Sequence, residues 1–137
     1  LGLVAAVRWY AAQVQERTGA AVGVSSQGEE VELPPEVRTV LYRIVQECVT
    51  NVVRHAKADQ AEVQILFDGA EVRLRVEDKG CGFDVDTALT QREYPCWGLL
   101  GIQERAALVG GTCVIQSEPG MGALVEVVAP LEREIHG

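Results

Sequence analysis

The sequence predicts an α+β fold, a two-layer α/β sandwich in which helices pack on one face of a mixed sheet. Segments with helical spacing of apolar residues alternate along the chain with pairs of short segments typical of strands. The 137 residues are 47% apolar and 23% charged, an ordinary globular composition, and their number indicates a single domain spanning residues 1–137. The paired strands differ from the strict strand–helix–strand alternation of a dinucleotide-binding fold.

The first helix is predicted over residues 1–17, where apolar side chains recur at helical spacing, and Thr18-Gly19 ends it. A β-branched run at residues 20–25 predicts the first strand. After the turn signal Gln27-Gly28, alternation of apolar and polar residues at 29–33 predicts a second strand. These two strands form the first of the strand pairs.

The second helix has the clearest pattern in the chain. Two prolines and Glu36 mark its start, because proline is tolerated in the first turn and an acid there faces the positive end of the helix dipole. We expect the helix to run to about His55. Its apolar stripe extends over more than four turns and consists of Val37, Val40, Leu41, Ile44, Val45, Cys48, Val49 and Val52.

The second strand pair follows this helix. Residues 61–67 and 71–77 alternate as strands, with the hairpin signal Asp68-Gly69 between them. The rest of the chain resembles the first part in its order of elements. It consists of a loop at 78–97, a helix at 99–109 that Gly110-Gly111 ends, and strands at 112–117 and 123–129.

The charge balance excludes several classes of partner. Twelve Lys and Arg against twenty Asp and Glu give a net charge of −8, which disfavours binding to nucleic acid or to an anionic membrane surface. No apolar stretch approaches the ~20 residues that a membrane-spanning helix needs, and no signal-peptide pattern opens the chain. We therefore expect a cytoplasmic domain without nucleic-acid or direct membrane contact. Because Leu1 lies inside a predicted helix, we expect the chain to be part of a longer protein.

Four cysteines are scattered along the chain, at positions 48, 81, 96 and 113, with no Cys-x-x-Cys pair. Zinc ligands usually come in such close pairs, and the chain has only two histidines, so a metal site built from these residues is not expected. We predict reduced thiols in a cytosolic protein instead.

Polar residues follow one edge of the second helix. Glu47 and Asn51 are neighbours four residues apart, and Arg54 and His55 come one turn later on the same side. This row borders the apolar stripe, so we expect it at the rim of the core. A carboxylate, an amide and a cation there can hold a hydrated Mg²⁺ and its phosphates, since Mg²⁺ takes a few oxygen ligands and keeps several waters. The same row also fits an ordinary solvated helix face.

A glycine-rich turn follows the fourth predicted strand, with Asp78, Gly80 and Gly82 at alternate positions. Glycine allows a positive φ and close approach of the backbone to a ligand. An acid in a tight, partly buried turn can accept a hydrogen bond from an exocyclic amine such as that of adenine. The same residues are also compatible with a simple turn after a strand.

Two further glycine pairs lie near element ends. Gly98-Leu99-Leu100-Gly101-Ile102 leads into the third helix, where free N–H groups at a helix N-terminus can bind an anion. A plain loop-to-helix junction explains it equally well. Gly120-Met121-Gly122 between the last two strands, taken alone, indicates only a turn.

The order and spacing of these four segments carry more information than each alone. They resemble the N, G1, G2 and terminal glycine boxes of the GHKL (Bergerat) ATP-binding fold, over nearly the whole chain. Two longer stretches of the sequence resemble those of bacterial two-component sensor histidine kinases. They run from Leu41-Tyr42-Arg43 through Ala56 and from Gly98 through Arg105. Among these kinases, the sequence is similar to the short-lid branch that works with response regulators carrying helix-turn-helix output domains.

The resemblance implies a role for each residue of the helical row. Asn51 would coordinate the Mg²⁺ that bridges the ATP phosphates, and Glu47 would orient a metal-bound water. Arg54, together with His55, would approach the phosphates. These roles identify ATP and Mg²⁺ as the implied cofactors.

The resemblance also assigns the base and the lid. Asp78 would accept the adenine amine, while Gly80 and Gly82 let the backbone pass close to the base. Residues 84–97 would form the ATP lid, hinged by Gly98 and Gly101, which offer amides to phosphate. The remaining nucleotide-binding positions are Leu99 and Ile102, with Ile44 and Val125 as further walls of the adenine pocket.

The chain departs from the family pattern in two places. Ala123 stands where a Thr commonly follows the last glycine box, so the hydrogen bond of that hydroxyl is absent. The phospho-acceptor histidine of the family lies on an upstream dimerisation helix, which this chain lacks, and neither His55 nor His136 has its context. We therefore expect a monomeric domain that binds Mg-ATP without phosphorylating itself.

The implied function is donation of the γ-phosphoryl of Mg-ATP to a histidine on the kinase's own dimerisation domain, which in turn serves a response regulator. An anti-sigma-factor-type serine kinase and a nucleotide-controlled docking module of the same fold are the alternatives. The intact Glu47 and Asn51 count against a pure docking module, and the short lid counts against a topoisomerase or chaperone ATPase.

Overall fold

A computed structural model describes residues 2–54, 60–80 and 99–131 of the chain. The described elements follow the predicted order of helices and strand pairs, with one exception given below. They are α1 (Leu3–Thr18), β1 (Ala21–Gln27), α2 (Pro35–Arg54), β2 (Gln60–Phe67), β3 (Glu71–Asp78), α3 (Leu99–Leu108), β4 (Thr112–Ser117) and β5 (Ala123–Pro130).

The strands form one mixed sheet in the order β1-β2-β3-β5-β4. Within this described sheet, β1 and β2 run parallel, and the other neighbours are antiparallel. The register places the last residue of β3, Asp78, between Ala61 of β2 and Ala123 of β5. Asp78 therefore lies in the centre of one end of the sheet, where the polar residues of the motifs gather.

All described helices contribute to a single apolar core on one face of the sheet, which confirms the predicted α+β class. α2 lies across β2 and β3, with Leu41, Ile44 and Val45 nearly inaccessible to solvent. The opposite sheet face is polar, and there Arg75 Nε lies 3.2 Å from a carboxylate oxygen of Glu126. The alternation of the strands thus separates a buried face from a charged one, as the period of two requires.

The strand predicted at residues 29–33 is wrong. These residues form an irregular connection from β1 to α2, outside the sheet. Leu33 is buried in the core, but Val31 is 39% exposed. Only one of the two apolar residues that suggested a strand therefore packs in the core. The segment makes a different contact, because a carboxylate oxygen of Glu30 accepts a hydrogen bond from the Val4 N–H at the start of α1.

The other predicted elements are confirmed, with shifts of one or two residues at their ends. Gly19 adopts a φ of +78° and its N–H donates to the Gln15 carbonyl, so it ends α1 as expected. The described part of α2 ends at Arg54, and His55 lies outside the described residues. Within the described ranges, no helix is both long and apolar enough to cross a membrane.

Candidate functional site

A narrow cleft of about 20 Å³ lies between α2, the end of β3, the start of α3 and β5. Residues from three of the four sequence motifs meet in it, although they lie far apart in the chain, and the residue after the fourth motif joins them. The described residues that line the cleft are Cys48, Asn51, Val52, Val76, Asp78, Leu99, Ala123 and Val125. Its walls are thus largely aliphatic, and an amide, a carboxylate and a thiol supply its polar atoms.

Asp78 is the carboxylate of the cleft. The alternation along β3 directs it to the core side, where it is 8% exposed, and no other charged side chain among the described residues is buried. Its Oδ1 atom accepts a hydrogen bond from the Gly80 N–H at 2.8 Å, which closes the turn after the strand. Burial raises the pKa of the Asp78 carboxyl, the Gly80 hydrogen bond opposes this, and the neighbouring Glu77 charge adds to it.

The turn between β4 and β5 packs directly against the main chain of Asp78. Gly122 has a φ of +74°, and a Cβ there would overlap the Asp78 carbonyl oxygen and lie 2.9 Å from Lys79 Cα. The position therefore requires glycine for both its conformation and its contact. The carbonyl of Gly122 in turn accepts a hydrogen bond from the Ser117 hydroxyl at 2.6 Å.

The polar row of α2 lies at the rim of the core, as predicted. Glu47 and Asn51 are half-buried, and Asn51 lines the cleft. Arg54 is exposed in the last turn of the helix. α2 therefore brings the amide of Asn51 to the cleft and carries the Glu47 carboxylate one turn earlier, whereas Arg54 lines the groove between α2 and α1.

α3 contributes the opposite wall through its first residue. Leu99 is almost wholly buried and lines the cleft, whereas Ile102 is fully buried in the core one turn later. Ile102 and Ile44 do not line the cleft, so they support its wall from behind, while Val125 forms part of the wall itself. Gly82, Gly98 and the lid expected at 84–97 lie outside the described residues, as does His55.

Gly101 in α3 is not required by the packing of the described residues. A Cβ at this position would meet only the tip of Arg105, with Nη1 at 3.4 Å, and Gly101 is partly exposed. A glycine inside a helix is unfavourable relative to alanine by about 1 kcal/mol.

Cys48 is a buried, free thiol in the cleft wall. Burial raises its pKa far above the usual range, and electrostatic interactions with Cys113, Glu47 and Asp78 add to the effect. Burial likewise raises the pKa of the free thiol of Cys113 to about 11. Both thiols are therefore neutral at physiological pH and behave as small apolar groups.

The oxygen donors of α2 fit Mg²⁺ bound together with a phosphate ligand. Among the described side chains, no group of three or more His, Cys, Asp or Glu residues could hold a metal ion. Mg²⁺ commonly takes one or two protein oxygens and obtains its other ligands from water and phosphate. An amide oxygen at Asn51 and a carboxylate one turn earlier at Glu47 provide such a set.

Sequence comparison identifies a family for most of the chain. Residues 36–133 match the family described as histidine kinase-, DNA gyrase B-, and HSP90-like ATPase. This range contains all four motifs and every described residue that lines the cleft.

Curated relatives include sensor kinases. The signal transduction histidine-protein kinase/phosphatase DegS of Brevibacillus brevis is 31% identical over 134 residues, which are 98% of this chain and 34% of that protein. The sensor protein VraS of Staphylococcus saprophyticus is 36% identical over 106 residues, 77% of this chain and 29% of that protein. The chain thus spans about a third of the length of the curated relatives it matches.

Solved structures share the same architecture. The histidine kinase domain of the blue-light activated histidine kinase from Erythrobacter litoralis EL346 superposes with a TM-score of 0.73 at 25% identity. The match covers 96% of this chain and 62% of that structure.

Proposed function

The chain belongs to the histidine kinase-, DNA gyrase B-, and HSP90-like ATPase family, and on that premise we propose that it binds Mg-ATP in the cleft between α2, β3 and α3. We propose further that it donates the γ-phosphoryl group to a histidine of its own kinase. The observation that carries this proposal is the meeting of Asn51, Asp78 and Leu99 in one cleft from three separate motifs.

Asp78 and the aliphatic walls of the cleft recognise the base. Asp78 Oδ1 accepts the Gly80 N–H, and the carboxylate has further acceptor capacity toward the cleft. An ionised carboxylate accepts hydrogen bonds only, so it pairs with the 6-amino group of adenine and repels the 6-oxo group of guanine. Val76, Val125 and Leu99 supply apolar contact for a planar base. The site therefore favours adenine nucleotides.

The polar row of α2 and the start of α3 bind the phosphates. Asn51 and Glu47 would hold Mg²⁺, which when bound neutralises phosphate charge and positions the γ-phosphoryl for transfer. Arg54 adds a positive charge in the last turn of the same helix. The N–H groups in the first turn of a helix attract anions, and the described part of α3 begins at Leu99. Transfer then depends on positioning and charge neutralisation rather than on a covalent intermediate.

The proposed acceptor is a histidine on a dimerisation domain outside these 137 residues, and the proposed partners are that domain and, through it, a response regulator. The relatives of which the chain spans about a third are a histidine kinase/phosphatase and a sensor protein, which supports this division. In the sequence, His55 follows Arg54, and His136 follows a stretch of mixed charge at 132–134. We propose that the chain by itself is a monomer of the cytoplasmic compartment, where ATP is available.

Replacing Asn51 by Ala tests the proposed site. We expect at least a tenfold loss of Mg-ATP affinity, about 1.4 kcal/mol, because a metal ligand is removed. Folding stability should change little, since Asn51 lies at the rim of the core. Thr50→Ala is the matched control, because Thr50 is equally half-buried on α2 but lines the groove toward α1. Titration calorimetry that shows the same affinity for both variants would contradict the placement of the site.

Incubation with γ-labelled ATP tests the proposed division of labour. We expect the 137-residue chain to bind Mg-ATP but to retain no label after denaturing electrophoresis, because neither of its histidines is the acceptor. The variants His55→Gln and His136→Gln identify the source of any label. Robust labelling that either variant abolishes would contradict the proposed acceptor.

A further inference from the structure

Ser117 connects the β4–β5 turn to the carboxylate of the cleft. It ends β4, where it pairs in register with Ala123 of β5. Its hydroxyl donates to the carbonyl oxygen of Gly122 at 2.6 Å, across the turn formed by residues 118–122. Inside this turn, the Met121 N–H donates to the Glu118 carbonyl at 2.9 Å. The Ser117 hydroxyl thus fixes the peptide at which the turn rejoins the sheet.

That peptide is in direct contact with the main chain of Asp78. The space beside Gly122 is filled by the Asp78 carbonyl group and by Lys79 Cα, so the two turns cannot move independently. Ala123, the register partner of Asp78 on β5, has no side-chain donor that could hold the carboxylate from this side. The contact with Gly122 is therefore what locates Asp78 relative to β5, in addition to the sheet hydrogen bonds.

We infer that Ser117 is a positioning residue for base recognition, acting through Gly122 on Asp78. The inference rests on the proposed Mg-ATP function. Ser117 does not line the cleft itself, but together with Asp78 and Gly122 it lines an adjoining cavity of about 580 Å³. The chain of contacts runs from the Ser117 hydroxyl to the Gly122 carbonyl, and from the Gly122 main chain to the Asp78 main chain.

Loss of the Ser117 hydroxyl should weaken binding of the base more than binding of the phosphates. A hydrogen bond weakens steeply with small changes in distance and angle, whereas the attraction between phosphate and cations falls off slowly with distance. A shift of Asp78 by a few tenths of an ångström therefore reduces the contribution of the adenine amine and leaves phosphate binding nearly unchanged. A purely structural role of Ser117 would lower stability without changing base preference.

The test compares ATP with purine riboside 5′-triphosphate, which lacks the 6-amino group, by calorimetry in the presence of Mg²⁺. We expect the wild-type chain to prefer ATP by about tenfold or more, as for a hydrogen bond to a charged acceptor. Ser117→Ala should reduce this ratio to about threefold or less, with little change in affinity for the analogue. Ser117→Thr retains the hydroxyl and should retain the ratio.

Ser25→Ala, the same change on the exposed part of β1, is the matched control and should leave the ratio at its wild-type value. If Ser117→Ala does not fold, Ser117→Cys replaces it, because the thiol is similar in size and a weak donor. An unchanged ratio in the folded variant overturns the inference while leaving the proposed function intact, and so does loss of the ratio in Ser117→Thr. Failure of the wild-type chain to bind either triphosphate contradicts the proposed function itself.

Discussion

Asp78 combines two properties that rarely occur together in a protein interior. It is a carboxylate that accepts a main-chain hydrogen bond from Gly80, and it faces the aliphatic walls of the cleft. Burying a charge among apolar groups lowers stability, and the raised pKa of the Asp78 carboxyl expresses that cost. The cost is understandable if the remaining acceptor capacity serves a ligand, and it makes Asp78 the most informative single position to change.

Replacing Asp78 by Asn is expected to stabilise the fold while weakening ATP selectivity. The pKa of Asp78 is raised in the folded state, so its contribution to stability is most favourable below the unfolded value of 3.8 and declines as the pH rises through the folded pKa. The asparagine side chain of the variant can still accept the Gly80 hydrogen bond through its amide oxygen. In denaturant unfolding, the stability advantage of the variant should therefore grow with pH above 3.8 and become constant above the folded pKa.

The same variant should lose most of its preference for ATP over GTP, because an amide can donate to the 6-oxo group of guanine. Glu77→Gln is the matched control, since Glu77 is an exposed neighbour on the same strand. A variant that is less stable than the wild type by the same amount at every pH would contradict the account of Asp78.

At the level of single residues, the sequence predicted the polar side chains that line the cleft better than the residues that hold them in place. The acid at 78 and the amide at 51 follow from local spacing, and the structure brings both to one cleft. The contact of Gly122 with Asp78 depends on the register between β3 and β5, which no local pattern specifies. The spacing of Gly120 and Gly122 indicated the turn between β4 and β5, but no pattern in the sequence pointed to Ser117.

At the level of elements, helical periodicity was the reliable signal and short alternation was not. Seven buried positions on α2 follow the predicted stripe, and Asn51 of the polar row beside it lines the cleft. The alternation at residues 29–33 instead reflected one buried anchor, Leu33, in a connection outside the sheet. Alternation over so short a segment contains too few positions to distinguish a strand from such a connection.

Gly101→Ala tests whether the start of α3 faces a ligand. The described structure has room for the methyl group, and alanine favours the helix by up to about 1 kcal/mol, so the thermal midpoint should rise. If the bare backbone serves close approach of phosphate, Mg-ATP affinity should fall at least about tenfold, about 1.4 kcal/mol.

Gly111→Ala gives the opposite pattern and serves as the comparison. A Cβ at Gly111 would lie 2.7 Å from the Val128 carbonyl oxygen, so this variant should lose stability but retain nucleotide affinity once folded. Calorimetry and thermal unfolding of both variants separate the two effects. Undiminished Mg-ATP affinity of Gly101→Ala would show that the N-terminal part of α3 is not part of the nucleotide site.

At the level of the whole molecule, an acidic chain is proposed to bind a polyanion. The net charge of −8 repels nucleotide at long range. The proposed binding must then rely on local features, namely the proposed Mg²⁺ ligands of α2, the charge of Arg54 and the N–H groups of α3. The fold brings Asn51 and Leu99 to one cleft, while the ion pairs of Arg73 and Arg75 with Glu126 lie on the opposite face of the sheet.

Removing Mg²⁺ should therefore weaken ATP binding strongly. With excess EDTA we expect the affinity for ATP to fall at least tenfold, about 1.4 kcal/mol, because the phosphates lose their neutralising ion. Adenosine, which has no phosphate, is the matched ligand and should bind equally well with and without EDTA. Equal ATP affinity under both conditions would contradict the metal-dependent part of the account.

We propose the cleft between α2, β3 and α3 as the nucleotide site. Its most direct test is an NMR titration of the isotope-labelled chain with Mg²⁺ and a non-hydrolysable ATP analogue. We expect saturable shifts that are largest at the amides of Asp78, Gly80 and Leu99, with Asn51→Ala reducing the affinity. The largest shifts in the groove between α1 and α2, around Tyr10 and Val53, or no saturable shifts at all, would contradict the claim.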